Sequence, residues 1–238
     1  AVQVRLADRI LALGKPVAVV LFHGRPLELA DLSRRAGAVL LAWYPGTEGG
    51  SGIADVLVGD EPPSGRLTMS FPHTVGQLPM YYNALPTGRP MHGPDDAERF
   101  RSRYLDTPNG PLYPFGYGLT YTRFEYSAVE LSREEMTEQE TITASVTLTN
   151  TGSRAGTETV QLYLRDLAGS YARPVRMLKE FRRVTLEPGQ SCCVKFPITA
   201  EHLKYHTRDK GFAAEKGKFL VFIGPDSATE NSAGFRLV

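Results

Sequence analysis

Cysteine is nearly missing from this 238-residue sequence, which has two, Cys192 and Cys193, side by side. Neighbours on a strand point to opposite faces, and a disulfide between them needs strained geometry. They are expected as one inward and one outward thiol. No further cysteine can supply a third thiolate, which excludes a cysteine-rich zinc site. Charge of one sign is missing as well: 27 Lys and Arg face 26 Asp and Glu, for a net charge of +1. That removes the electrostatic case for nucleic acid or an anionic membrane as the main partner. No apolar run approaches the roughly 18 residues of a membrane-crossing helix. Arg5, Asp8 and Arg9 interrupt the opening segment, so it does not read as a leader peptide. A processed chain would read the same, which leaves secretion open.

What is present is ordinary for a globular protein: 42% hydrophobic and 22% charged residues. The length allows one or two domains and a real core. With 23 Gly and 17 Pro, many turns are expected.

The first third reads as α/β. Val2 to Leu13 has apolar residues at helical spacing (Leu6, Ala7, Ile10, Leu11, Leu13), with Gly14 as a stop. Pro16 to Phe22, "PVAVVLF", is a continuous apolar run of the kind found in parallel strands buried on both faces. "LELADLSRRAG" predicts a short helix ending at Gly37, and "AVLLAWY", Ala38 to Tyr44, a second strand like the first. A Gly-rich turn and the helix "GIADVLVG" follow, then "RLTMSFP" as a third, weaker strand. Two or three such strands are fewer than the five or six usual for this class. The sheet is therefore expected to be incomplete at its N-terminal side, with its missing strands upstream or on another chain.

From about Gln77 to Arg123 the periodicity is lost. A segment this long is functional or disordered, and its aromatics (Tyr81, Tyr82, Phe100, Tyr104, Tyr113, Phe115, Tyr117, Tyr121) argue for order. The last part alternates. Ile142, Ala144, Val146 and Leu148 point one way in "ETITASVTLTN". "TVQLYLRD", "CCVKFPI" and "KFLVFIG" repeat the pattern, with turns at "NTGSRAG", "EPGQ", "RDKG" and "GPDS" between them. This predicts an all-β sandwich of immunoglobulin or fibronectin type III kind. The organisation read from the chain is therefore an α/β part at 1–76, a structured aromatic loop at 77–123 and the sandwich at 124–238.

Few residues stand out for chemistry. His23 lies at a strand end, where α/β proteins place sites; with no Asp, Ser or second His at ligand spacing, a hydrogen bond to local backbone is the simpler expectation. Glu48 in "PGTEGGSG" could be a catalytic acid, or an acid in the first helical turn with Thr47 as N-cap. The glycines are not followed by the Lys-Ser/Thr of a phosphate loop. "FRSRYLD" could grip a polyhydroxylated ligand through Arg103 and Tyr104, or clasp two domains by ion pairs. Asp95, Asp96 and Glu98 read as a solvated turn, and "YPFGYGLTYT" as an aromatic plug. No Ser-His-Asp triad, Cys-His pair or zinc site is legible.

The order of motifs is itself informative. "KPVAVVLFHGRPLEL", "AVLLAWYPGTEGGSGIADVLVGDEPPSGRLTMSFP", "VGQLPMYYNALPTGRP" and "SRYLDTPNGPLYPFGYGLTYTRFEYS", followed by a β-sandwich, resemble the C-terminal part of glycoside hydrolase family three, of the periplasmic β-glucosidase type. The resemblance covers essentially the whole chain. His23 departs from it, the family more often having Asn or Ser there. The resemblance implies a barrel, an α/β sandwich domain and a fibronectin type III-like domain, of which this chain holds the end of the second and all of the third. It implies retaining hydrolysis of terminal non-reducing β-D-glucosyl residues by an Asp nucleophile and a Glu acid/base, at positions that match no residue here. On that basis Gly46, Thr47, Glu48 and Gly49 form a structural loop walling the cleft, and Arg103 and Tyr104 are the candidate substrate contacts. No cofactor or metal is implied. The partners are a β-glucoside or oligosaccharide and the remainder of the enzyme, in the periplasm or outside the cell. Another exo-specificity, β-xylosidase or exo-glucanase, is one alternative. A non-catalytic module binding carbohydrate or protein is the other, although the sandwich lacks the tryptophans of a sugar-binding platform.

Overall fold

The computed structural model describes residues 2–90, 98–209 and 211–238. The chain divides into two compact units: Ala1–Glu61 with Ser70–Met80 and Tyr104–Tyr113, and Pro62–Met69 with Tyr81–Arg103 and Pro114–Val238. Asp95 and Asp96 lie outside the described residues.

In the first unit, α1 (Val2–Leu11) ends before Gly14, which has φ +65, and a parallel pair follows: β1 (Ala18–Leu21), α2 (Ala30–Arg35), β2 (Ala38–Leu41). Ala18 pairs with Ala38 and Leu21 with Leu41. A turn then leads into α3 (Gly49–Val58), which ends at Gly59 in the left-handed conformation that glycine tolerates best. Two expectations are corrected. Neither strand is buried: the side chains of β1 and β2 are half-buried or exposed, because two strands and three short helices do not cover a sheet on both faces. "RLTMSFP" is not a strand either. Leu67 N–H donates to Tyr117 O and Leu67 O accepts from Gly116 N–H in the second unit, and Phe71 forms an isolated bridge with Tyr113 in the first. Pro62, Pro63 and Pro72 around it have no N–H to give a ladder.

The second unit is the sandwich. Its strands are β3 (Phe124–Tyr126), β4 (Glu130–Leu131), β5 (Glu135–Met136), β6 (Ile142–Asn150), β7 (Gly156–Asp166), β8 (Met177–Leu186) and β9 (Ser191–Ile198). Helix α4 (Ala200–Leu203), the hairpin β10 (Tyr205–Thr207) and β11 (Gly211–Ala213), then β12 (Gly217–Gly224) and β13 (Ser232–Leu237) complete it. One sheet has the order β5-β13-β12-β7-β8; in the other, β6 pairs with β3, β4 and β9. The alternation read from the sequence matches this register. Ile142 faces Ile198, Ala144 faces Phe196 and Val146 faces Val194 across β6 and β9, and all six are buried. Val160, Leu162 and Leu164 of β7 and Phe219, Val221 and Ile223 of β12 close the core from the other sheet. Each large side chain so buried contributes about 1.5–3 kcal/mol. Cys192 packs against this core while Cys193 is exposed, and both are free thiols.

The outer face of β7 is buried too. Gln161 and Tyr163 point away from the core and are covered by Tyr82 and Phe115, whose rings stack at 4.2 Å. Tyr82 meets Tyr163 edge-on at 5.9 Å and accepts a hydrogen bond at its hydroxyl from Leu178 N–H. Gln161 Nε2 donates to the carbonyls of Gly116 (3.1 Å) and Pro225, and its Oε1 accepts from Tyr163 at 2.6 Å. Gly116 has φ +84, and a Cβ there would sit 2.1 Å from Gln161 Oε1. Gly116→Ala is therefore expected to cost about 2–3 kcal/mol, combining backbone strain with steric conflict. Urea unfolding followed by circular dichroism measures it; a loss below about 0.5 kcal/mol, the level of an ordinary surface change, would refute the close approach.

Candidate functional site

The chemistry-bearing residues of the first unit gather at the C-terminal end of the parallel pair. His23 follows β1 by two residues and Trp43 follows β2 by two, and the Ala42 N–H donates to Leu21 O, so the two chains leave the sheet together. The carboxyl edge of a parallel sheet is where such folds place binding sites. The His23 ring lies 4.3 Å from the Trp43 ring, and Phe71, fully buried, meets His23 edge-on at 5.8 Å and Trp43 at 6.2 Å. His23 Nδ1–H donates to Arg25 O at 2.8 Å, the local backbone bond expected of it. Its Nε2 is buried with no hydrogen-bond partner among the described residues.

Trp43 has φ +52, a left-handed conformation that costs a bulky residue on the order of 1–3 kcal/mol. Aromatic pairs contribute about 0.5–1.5 kcal/mol each, so the His23 and Phe71 contacts are of the size needed to hold it. The bend turns the chain into Pro45-Gly46-Thr47-Glu48-Gly49. Gly46 has φ +74, and a Cβ on Gly49 would lie 2.6 Å from the Pro45 ring, so both glycines are demanded by the turn.

Thr47 is not the cap of α3. Glu48 occupies the N-cap position, with no side-chain cap bond, because the helix starts one residue later than the polar pattern suggests. Glu48 is exposed at the start of the helix, where negative charge is favoured. Gly46, Thr47, Glu48 and Gly49 thus form one tight turn whose shape is set by glycine and proline packing.

Gln77 was missed by sequence reasoning. Its side chain is buried in the first unit: Oε1 accepts from His73 N–H (2.6 Å) and Thr74 N–H (3.3 Å), and Nε2 donates to Pro108 O (2.6 Å) and Gly110 O (3.2 Å). It ties the turn after Phe71 to Tyr104–Tyr113. No pattern marks such a residue, because its partners are backbone groups distant in sequence. Tyr104 N–H donates to Asn109 Oδ1 at 2.7 Å, and the Tyr104 ring is exposed. Arg103 is exposed, and Phe100, with φ +67, lies between Glu98 and Arg101, which form an ion pair of 2.5 Å. Among the described residues no three His, Cys, Asp or Glu gather as a metal would need, and no helix is long and apolar enough to cross a membrane.

A model of the glycosyl hydrolase family 3 C-terminal domain matches residues 1–121. The chain belongs to glycosyl hydrolase family 3. A fibronectin type III-like domain matches residues 158–227, within the sandwich. Among family 3 relatives, the periplasmic beta-glucosidase of Salmonella typhimurium is 50% identical over 98% of this chain. A putative beta-xylosidase of Formosa agariphila is 39% identical over 99% of the chain. The beta-glucosidase from Listeria innocua, solved in complex with glucose, superposes with a TM-score of 0.92 at 42% identity, covering 98% of this chain and 32% of that one. The chain spans 30% of the length of the Salmonella and Formosa relatives.

Proposed function

We propose that this chain is the C-terminal part of a retaining β-glucosidase that removes terminal non-reducing β-D-glucosyl residues from short glucosides in the periplasm. The observation that carries this reading is the 50% identity to a periplasmic beta-glucosidase along 98% of the chain. On this reading residues 1–76 end the α/β sandwich domain, 77–123 form a structured connector and 124–238 the fibronectin type III-like domain. The open apolar surfaces of α1 and of the parallel pair, with Val2, Val4, Leu6 and Phe22 exposed, fit a sheet completed by upstream residues of the same polypeptide.

Retaining hydrolysis needs two carboxyl groups about 5–5.5 Å apart, one attacking the anomeric carbon and the other protonating the leaving oxygen and then activating water. We place both outside this chain. Glu48, exposed on a packing-determined turn, buttresses the wall of the cleft rather than acting as acid or base. Two carboxylates suffice for this chemistry, so no cofactor is invoked. Arg103 and Tyr104 are assigned to the aglycone side.

The test is release of nitrophenol from an aryl β-glucoside by the 238-residue chain, alone and with the upstream portion supplied. Activity only in the complemented sample is expected. Activity from the chain alone would overturn the placement of the carboxylates and make Glu48, Asp95, Asp96 and Asp106 the acids to substitute. The 39% identity to a putative beta-xylosidase makes β-xylosidase the second reading. An aryl β-xyloside cleaved faster than the aryl β-glucoside would favour it. In the complete enzyme, Tyr104→Ala is expected to raise KM for a trisaccharide about three- to tenfold, up to ~1.4 kcal/mol, with the aryl glucoside unaffected. Equal kinetics with lower stability would assign Tyr104 to a domain clasp instead.

A further inference from the structure

At one end of the sandwich, β7, β8, α4 and the loop after β7 line a small, half-open cavity of about 20 Å³. Asp166, Arg173, Lys179 and His202 line it, with Met177 and Phe219 as apolar wall. The backbone makes an exception to put Lys179 there. Leu162 pairs with Glu180 and Tyr163 with Leu178, so Lys179 is the extra residue of a β-bulge. Bulges re-aim a side chain at the cost of a ladder position and recur beside functional sites. Among the described residues the half-buried Lys179 ammonium has neither ion pair nor hydrogen bond. Burial, reinforced by the charge of Arg173, lowers its pKa.

Two polar atoms beside it are buried without a hydrogen bond. Asp166 has a side chain only 8% exposed; its Oδ1 accepts from Ala168 N–H at 3.2 Å, but its Oδ2 is buried without a hydrogen bond. Arg173 Nε forms an ion pair with that oxygen at 3.5 Å but is likewise buried without a hydrogen bond, and the guanidinium lies 3.6 Å above the Tyr205 ring. Burial pushes the Asp166 carboxyl up, and Glu215 adds to this, against the Ala168 N–H and Arg173. His202 is already engaged: Nδ1 accepts from Thr199 N–H at 3.1 Å, which leaves the proton on Nε2, 3.5 Å from Glu180 Oε1.

The cavity therefore offers an ammonium without a protein partner, and an ion pair whose Nε–H and carboxylate oxygen each lack a hydrogen bond. Leaving the two buried atoms without a hydrogen bond costs about 1–3 kcal/mol each. A bare anion would satisfy the donors and face Asp166 unfavourably. A neutral sugar would leave the ammonium without a counter-charge. A carboxylate with a hydroxyl beside it supplies both. We infer that this cavity is a second ligand site that takes the end of a hydroxy acid, such as a uronic or aldonic acid, with its carboxylate on Lys179 and Arg173 and its hydroxyl on Asp166.

Glucuronate is the probe, titrated by calorimetry into the complete enzyme, with glucose and acetate as controls. Saturable glucuronate binding at least about tenfold tighter than either control, about 1.4 kcal/mol, is expected. Lys179→Met should lose that binding without loss of fold, since Lys179 makes no bond in the free protein. Asp166→Asn should keep carboxylate binding and bring glucuronate and acetate to equal affinity. No saturable binding of glucuronate by the wild type overturns the site, whatever the variants do. Equal affinity for acetate or for glucose in the wild type also overturns it, as does glucuronate binding that survives Lys179→Met and so comes from elsewhere in the enzyme.

Discussion

Arg66→Met is expected to destabilise the sandwich unit by about 3–5 kcal/mol, the cost of leaving a buried charge unpaired. Arg66 and Glu158 have side chains 8% and 6% exposed and meet at 2.8 Å. Glu158 Oε1 also accepts from Thr159 N–H at 2.8 Å, and Arg66 donates to Gly65 O at 3.0 Å, so both ends are held by backbone as well as by each other. The surroundings are poor in water: burial first, and then the charge of Glu158, pushes the Tyr126 phenol upward. Removing the guanidinium leaves a carboxylate in that environment with one backbone N–H as compensation. The double variant Arg66→Met/Glu158→Leu should recover most of the loss, because a buried pair replaced by apolar groups of similar volume is often neutral. Urea unfolding of both variants at neutral pH gives the comparison. A single-variant loss under about 1 kcal/mol, as for an exposed ion pair, would show that the pair is solvated.

Asn150→Ala is expected to cost a similar amount, about 3–4 kcal/mol, for a different reason. Asn150 is fully buried at the end of β6, and its amide uses every direction it has. Oδ1 accepts from Thr122 Oγ1 (2.6 Å) and Gly152 N–H (3.1 Å), while Nδ2 donates to Arg154 O (2.8 Å) and Leu186 O (2.9 Å). One side chain thus satisfies the 150–154 turn, the end of β8 and the chain entering β3. Alanine would remove four hydrogen bonds at once, one of them to the buried Leu186 O and three to partly buried groups, each worth about 1 kcal/mol. Asn150→Asp should also destabilise, because a carboxylate cannot donate to two carbonyls. Unfolding curves for the two variants measure this, and a loss below about 1 kcal/mol in both would refute the network.

The sandwich was legible because a strand with one face on a core must alternate with period two. Ile142 to Leu148 do so without exception, and their pairing with β9 follows from the same alternation. β8 escaped notice. "MLKEFRRVTL" is an edge strand with one face in solvent, and its Lys179 bulge breaks the period. Gln161 and Tyr163 of β7 read as outward residues and are outward, yet they are buried. The cover comes from Tyr82 and Phe115, which are about 80 and 50 residues away in the chain, and period two says nothing of what lies over the second face. At the candidate site, the Gly46–Gly49 turn and the local bond of His23 were readable, since both are short-range matters of backbone chemistry. The ring contacts of His23, Trp43 and Phe71 and the left-handed backbone of Trp43 were not.

By itself, then, the sequence determined the elements that carry a clean local signal: the apolar runs of the parallel pair, the glycine-demanded turn, and the alternating strands β6, β7, β9 and β12. Those follow from backbone sterics and from the burial of apolar side chains, which act over a few residues. Only the tertiary structure decided where polar side chains finish, Gln77 on Pro108 and Gly110, Glu158 on Arg66, Asn150 among three chain segments, Lys179 in its cavity. Their partners are chosen by desolvation: once a hydrogen-bonding group is buried it must be met, and the group that meets it is whichever the fold brings there.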